Sequence, residues 1–179
     1  GLDENSLSAD APLAEPSKER EAAFKTAAAC RQKAAVLQYQ GQTKKELALV
    51  KAQAQVLSEV LHPQHLQLQE ARATALNVAL AAGDVSSALE QCKQLCETYD
   101  IVYPTDRPHP IRGLQLCTLG ELYLQVEAAD VKMSENKKMQ TGIEALERAC
   151  AELAVTHGPH NAMLKGVREN VAILKEELA

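Results

Sequence analysis

Tryptophan is absent from this 179-residue chain and phenylalanine occurs once, so aromatic residues make up only 3% of it. A core without large rings has to be filled by bringing short side chains close together, which suits helices packed on helices. Strand-forming residues are also thin, which excludes a sheet protein. No apolar run approaches the roughly 20 residues that span a bilayer. The first residues lack the basic stretch followed by an apolar one that marks a secretory signal. Cationic excess is missing too: 19 Lys and Arg against 24 Asp and Glu leave a net charge of −5. Neither a nucleic-acid face nor an anionic-membrane partner is expected from that balance. Glycine-rich phosphate loops and GxSxG elbows do not occur, and no residues stand out as catalytic.

What is abundant is alanine (29 residues) and leucine (24). The length suits one domain able to bury a core without staples. Residues 1–16 are acidic, carry two prolines and show no sustained period, so they read as a flexible leader ahead of a helical domain over 17–179. Within that domain, prolines cluster at 63, at 104, 108 and 110, and at 159, and they divide the chain into helical blocks. Gly41 and the Gly83-Asp84 pair divide the blocks further. Leu47, Val50, Ala54, Leu57 and Leu61 step by three and four; so do Val85, Ala88, Leu89, Cys92, Leu95, Cys96 and Tyr99, and likewise Leu164, Val167, Val171, Leu174 and Leu178. The periods predict about seven helices, over 18–39, 43–60, 66–82, 85–101, 110–128, 138–154 and 161–178. Short turns between them predict an all-α fold of stacked antiparallel hairpins. Asp84 is placed to cap the helix that follows it. Thr43 with Glu46, and Thr141 with Glu144, have the spacing of capping boxes.

Candidate chemistry is sparse. His62 with His65, and His157 with His160, offer paired imidazoles, but each pair lacks further ligands nearby in sequence, so turn-stabilising roles are expected in place of a metal site. Cysteines stand at 30, 92, 96, 117 and 150. An odd number without a secretory signal points to reduced thiols in the cytoplasm or nucleus. Cys92 and Cys96 lie one turn apart on an apolar stripe, where buried thiols are expected and a disulfide is not. The basic cluster Lys132, Lys137 and Lys138 reads as a solvated loop, or else as a positive patch for an acidic partner.

Two hairpins share a code. Gly83 and Ala88 fit the turn and second-helix alanine of the tetratricopeptide pattern. Leu116-x-x-Leu119-Gly120-x-x-Tyr123, followed after an insertion of about ten residues by Leu146-x-x-Ala149, fits its first and second helices. In that pattern a small residue on one helix admits the next, and an aromatic fills the angle between hairpins. Tetratricopeptide grooves that grip a C-terminal carboxylate use Lys and Asn on the first helices. The corresponding positions here are Ala73, Asn77, Cys117 and Glu121, of which only Asn77 has suitable chemistry for peptide binding.

The run GDVSSALEQCKQLCETYDIVYPTDRPHPIRGLQLCTLGELYLQ, with EALERACAELAVTHGPHNAMLKGVREN after it, resembles the C-terminal helical region of the SET-and-MYND lysine methyltransferases. The shared features are the turn at 83–89, the Tyr-Pro to His-Pro connection at 103–110, the helix at 116–123, the Ala-Leu helix at 145–149, and the terminal turn containing His157 and Gly158. The resemblance covers 83–170 in detail and 17–82 by helical spacing alone. It implies a non-catalytic domain that forms one wall of a substrate cleft, packs on its own SET core and offers a surface to partner or substrate proteins, chaperones among them. It also implies S-adenosylmethionine and zinc for the catalytic part. This chain carries neither the SET asparagine-histidine motif nor the MYND and post-SET cysteine pairs, so by itself it is expected to bind no cofactor and transfer no methyl group. A stand-alone adaptor is the alternative, because kinesin-light-chain-like repeats share the LxxLGxxY helix and His-Pro turns. A plain helical scaffold remains a third reading.

Overall fold

A computed structural model describes residues 18–104 and 106–178; the acidic leader predicted over 1–16 lies outside them. The described residues form helices and connections with no strand. The helices are α1 (Lys18–Tyr39), α2 (Thr43–Val60), α3 (Leu66–Ala82), α4 (Val85–Val102), α5 (Pro110–Gln125), α6 (Ala128–Val131), α7 (Glu135–Thr156) and α8 (Ala162–Leu178). No helix among them is long and apolar enough to cross a membrane. Each predicted span overlaps one long helix, but the span 110–128 runs past the end of α5, and α7 begins before and ends after the predicted 138–154. The additional element is the single turn of α6, inside the stretch read as an insertion.

Local chemistry accounts for most boundaries. His65 caps α3 by accepting from the Gln67 N–H, and Asp84 caps α4 by accepting from Ser87 N–H at 3.0 Å. That backbone hydrogen bond holds the Asp84 carboxyl below its usual range. Gly83 ends α3 with φ of 69°, in the left-handed region where a Cβ is costly. Both capping-box expectations fail. Thr43 is already inside α2, whose N-cap Gln42 makes no side-chain cap, and Glu46 is buried. Thr141 lies mid-helix in α7 and donates to the Lys137 carbonyl, because the true start is Ser134, which accepts from Lys137 N–H. The spacing of a capping box is blind to where the helix begins.

The basic cluster is also corrected. Lys138 is buried on α7, donating to the Val126 carbonyl at 2.9 Å and pairing with Glu135 at 2.8 Å. It satisfies the backbone where α5 ends, while Lys132 and Lys137 stay exposed.

Each long helix packs on the next in order, α5 meeting α7 directly. Phe24 and Ala27 of α1 cluster with Ala54, Leu57 and Leu61 at the end of α2 and with Leu68 and Ala71 of α3. Ala34 of α1 lies instead in the cluster holding Leu47, Val50, Ala75 and Ala79. The start of α1 thus meets the end of α2 and the start of α3, an antiparallel register. The second cluster runs on through α4, α5 and α7. A third seats α8 by Val167, Val171, Leu174 and Leu178 against Ile143, Leu146 and Leu124.

The crossing of α5 and α7 is tight. A Cβ added at Gly120 would stand 2.5 Å from Leu146 Cγ and 2.9 Å from the Gly142 carbonyl oxygen. Gly120→Ala should therefore destabilise the chain by about 1–3 kcal/mol through overpacking. Gly166→Ala on α8, where an added Cβ meets nothing within 4 Å, should instead stabilise by roughly 0.5–1 kcal/mol through helix propensity. Urea midpoints of the two variants test the contrast.

Candidate functional site

Alanine-rich faces decide where the molecule stays open. Glu46, Val50, Gln53 and Leu57 step along α2 by four, three and four residues and so share one face. They form the floor of a cleft of about 780 Å³ whose walls are α1 and α3, the first helices of the first two hairpins. Ala27, Ala34 and Ala71 line it where larger residues would close it. Asn77 also lines it, exposed on α3, while Ala73 is half-buried beside it. The antiparallel register brings Asn77 to the same end of the cleft as Glu46. Glu46 is only 7% exposed, yet among the described residues its carboxylate has neither hydrogen bond nor ion pair. The cleft also holds Arg31 and Glu70, both exposed.

The repeat-signature residues lie elsewhere. Ala88, Leu116, Leu146 and Ala149 are buried, as is Tyr123, in the clusters around α4, α5 and α7. The Lys93 ammonium stands 6.0 Å from the Tyr123 ring centroid. Leu119 is half-buried against the same core. His157 ends α7, its Nδ1 2.9 Å from Thr156 Oγ1, and Gly158 follows with φ of 88°. These positions build the stack and do not meet at the cleft.

The histidines act in turns. His62 Nδ1 accepts from the Gln64 N–H, and His65 Nδ1 from Gln67. Among the described residues no three metal-binding side chains converge. Cys92 and Cys96 are buried, and all five cysteines are unpaired with one another. Hydrogen bonding to Cys92, together with burial, pushes the Cys96 thiol far up, and burial pushes Cys117 up to about 11. Neither is a poised nucleophile.

Sequence reading missed a heavily bonded buried cation. Arg112, on α5, is 1% exposed. Its guanidinium donates to Glu152 of α7 at 2.6 Å, to the Tyr103 carbonyl at 2.6 Å and to the Arg107 carbonyl at 3.1 Å. The other Glu152 oxygen accepts from His109 N–H at 2.6 Å, and the His109 ring stacks on Tyr103 with centroids 3.6 Å apart. The proline-rich connection is thereby tied to α7. Glu46 had a legible signal, standing one turn before Val50 on the apolar stripe. Arg112 and Glu152, 40 residues apart, had none.

No family model matches the chain, and no curated protein does. The fold is similar to the solved structure of a Podosopora anserina protein described as a kinesin light chain with nearly identical TPR-like repeats, where TPR denotes tetratricopeptide. Identity is 19% over 85% of this chain and 72% of that one, with a TM-score of 0.55. A single-residue variant of that protein gives 18% identity, the same coverage and a TM-score of 0.57. The fold is tetratricopeptide-like. Because Arg112 joins α7 to the connection before α5, Arg112→Met should cost about 3–5 kcal/mol by stranding Glu152, read as a lowered urea midpoint.

Proposed function

We propose that the chain is a protein-interaction domain whose α1–α3 cleft takes up a segment of a partner protein. The observation that supports this most is the cleft itself: open, pre-formed, floored by a regular stripe and walled by two first helices. Stacked helical hairpins characteristically present such extended surfaces, and the volume lies within the range of ligand-binding clefts. A lining of alanines, amides and two carboxylates suits the binding of a peptide.

The finer reading is that this domain belongs to a protein lysine methyltransferase of the SET-and-MYND type. Support comes from the order of its motifs on the helices: the 83–89 turn between α3 and α4, the 103–110 connection before α5, and Leu116 to Tyr123 followed by Leu146 and Ala149 across one crossing. In such a parent, S-adenosylmethionine and zinc serve the catalytic part, and this domain contributes a wall of the substrate cleft and an interaction surface. The stand-alone adaptor is the second reading, favoured by the likeness to the kinesin-light-chain fold.

Panning random peptides on the chain tests the shared claim. Enriched peptides should lose binding to Thr74→Trp, which fills the cleft from an exposed wall position, while that variant keeps its unfolding midpoint; undiminished binding would place the interaction elsewhere. Sequencing the transcript upstream of residue 1 separates the two readings. SET, MYND and post-SET cysteine motifs are expected there, whereas a start codon or further hairpins would leave the adaptor.

A further inference from the structure

Glu46 is a buried carboxylate facing an open cleft with no partner among the described residues. Its oxygens are not sealed from water and open onto the cleft. It stands in the first turn of α2, where the helix dipole favours negative charge. Among the described residues the cleft contains one cation, Arg31, and no ion pair joins it to Glu46 or to Glu70. The lining thus carries two carboxylates and one guanidinium, none paired with another, and of the carboxylates Glu46 is the buried one.

From this we infer that the cleft is a socket for a lysine or arginine side chain of a partner segment, with Glu46 as its anchor. The inference rests on the proposed peptide-binding reading and names the chemistry of what is bound. The groove follows α1 from Phe24 to Gln38, about 21 Å at the helical rise of roughly 1.5 Å per residue. An extended peptide at about 3.3 Å per residue fills that length with about six residues. Val50, one turn along α2 from Glu46, gives the basic side chain's stem apolar contact, while Gln53 and Leu57 line the groove farther along. At the far end Glu46 accepts a charge-assisted hydrogen bond from the cation. Asn77 stands at that end with its amide oxygen free to accept as well. A C-terminal carboxylate is the wrong occupant for this end, since it would meet Glu46 with like charge. The specificity of the socket is thus opposite in sign to that of a carboxylate clamp.

Peptides recovered by panning random dodecamers on the wild-type chain should share one Lys or Arg at an aligned position. Replacing that residue by Met should weaken binding about tenfold. Glu46→Gln should weaken the original peptides by a similar factor. The two losses should not add in a double-mutant cycle. Glu46→Gln should also keep the thermal midpoint close to that of the wild type, because it is nearly isosteric and breaks no contact with a described residue; should it fail to fold, the peptide-side substitution still decides. Cleft-bound peptides without a shared basic residue, or with unchanged affinity for Glu46→Gln, would overturn the socket and leave the peptide-binding reading standing. Recovery of no peptide sensitive to Thr74→Trp would overturn both.

Discussion

A guanidinium sealed from water inside the stack must have its donors satisfied, and Arg112 meets that demand by gathering acceptors from two elements beside its own. It takes the carbonyls of Tyr103 and Arg107 from the connection between α4 and α5, and Glu152 from α7. The connection and the first residue of α5 together contain three prolines, each without an N–H, so the backbone there supplies acceptors more readily than donors. Arg112 offers only donors. The match fixes the angle at which α5 leaves α4 and couples it to where α7 ends. Because Glu152 also receives His109 N–H at the start of α5, the same carboxylate satisfies the helix terminus that the capping residue leaves open.

Small side chains work in two opposite ways. At Gly120 and Gly142 they let α5 and α7 touch backbone to side chain, with Leu146 filling the contact. Along α1 and α3 they line the walls above the α2 floor, and the result is a cleft. Glycine seals a crossing where a neighbour can descend onto it, and alanine lines a groove where the neighbour is held away. A chain poor in aromatics has few side chains long enough to close such a gap. Its composition is therefore tied both to how tightly it packs and to where it can bind.

That cleft and the buried pair also differ in how charge is handled. Arg112 and Glu152 are satisfied within the fold, so their electrostatics serve architecture. Glu46 is buried to a similar depth as Lys138, but Lys138 has a carbonyl and a carboxylate to hold and Glu46 has no such partner among the described residues. The proposed function attaches to a carboxylate that opens onto the cleft without a protein partner among the described residues.

Helix positions, the Asp84 cap, the Gly83 turn and the α8 seam were legible in the sequence, since each depends on residues within a turn or two of one another. Periodicity of three and four reports which face is apolar, and a proline or left-handed glycine reports where the backbone must stop. Both false capping boxes show the limit of that locality: spacing specifies a motif only once the first helical residue is known, and the structure puts it elsewhere. Arg112 and Glu152, the burial of Lys138 and the cleft above Glu46 were decided by tertiary structure alone. Each depends on helices far apart in the chain meeting at a particular register, and whether a charged side chain ends up paired, buried or facing a groove is a property of that meeting.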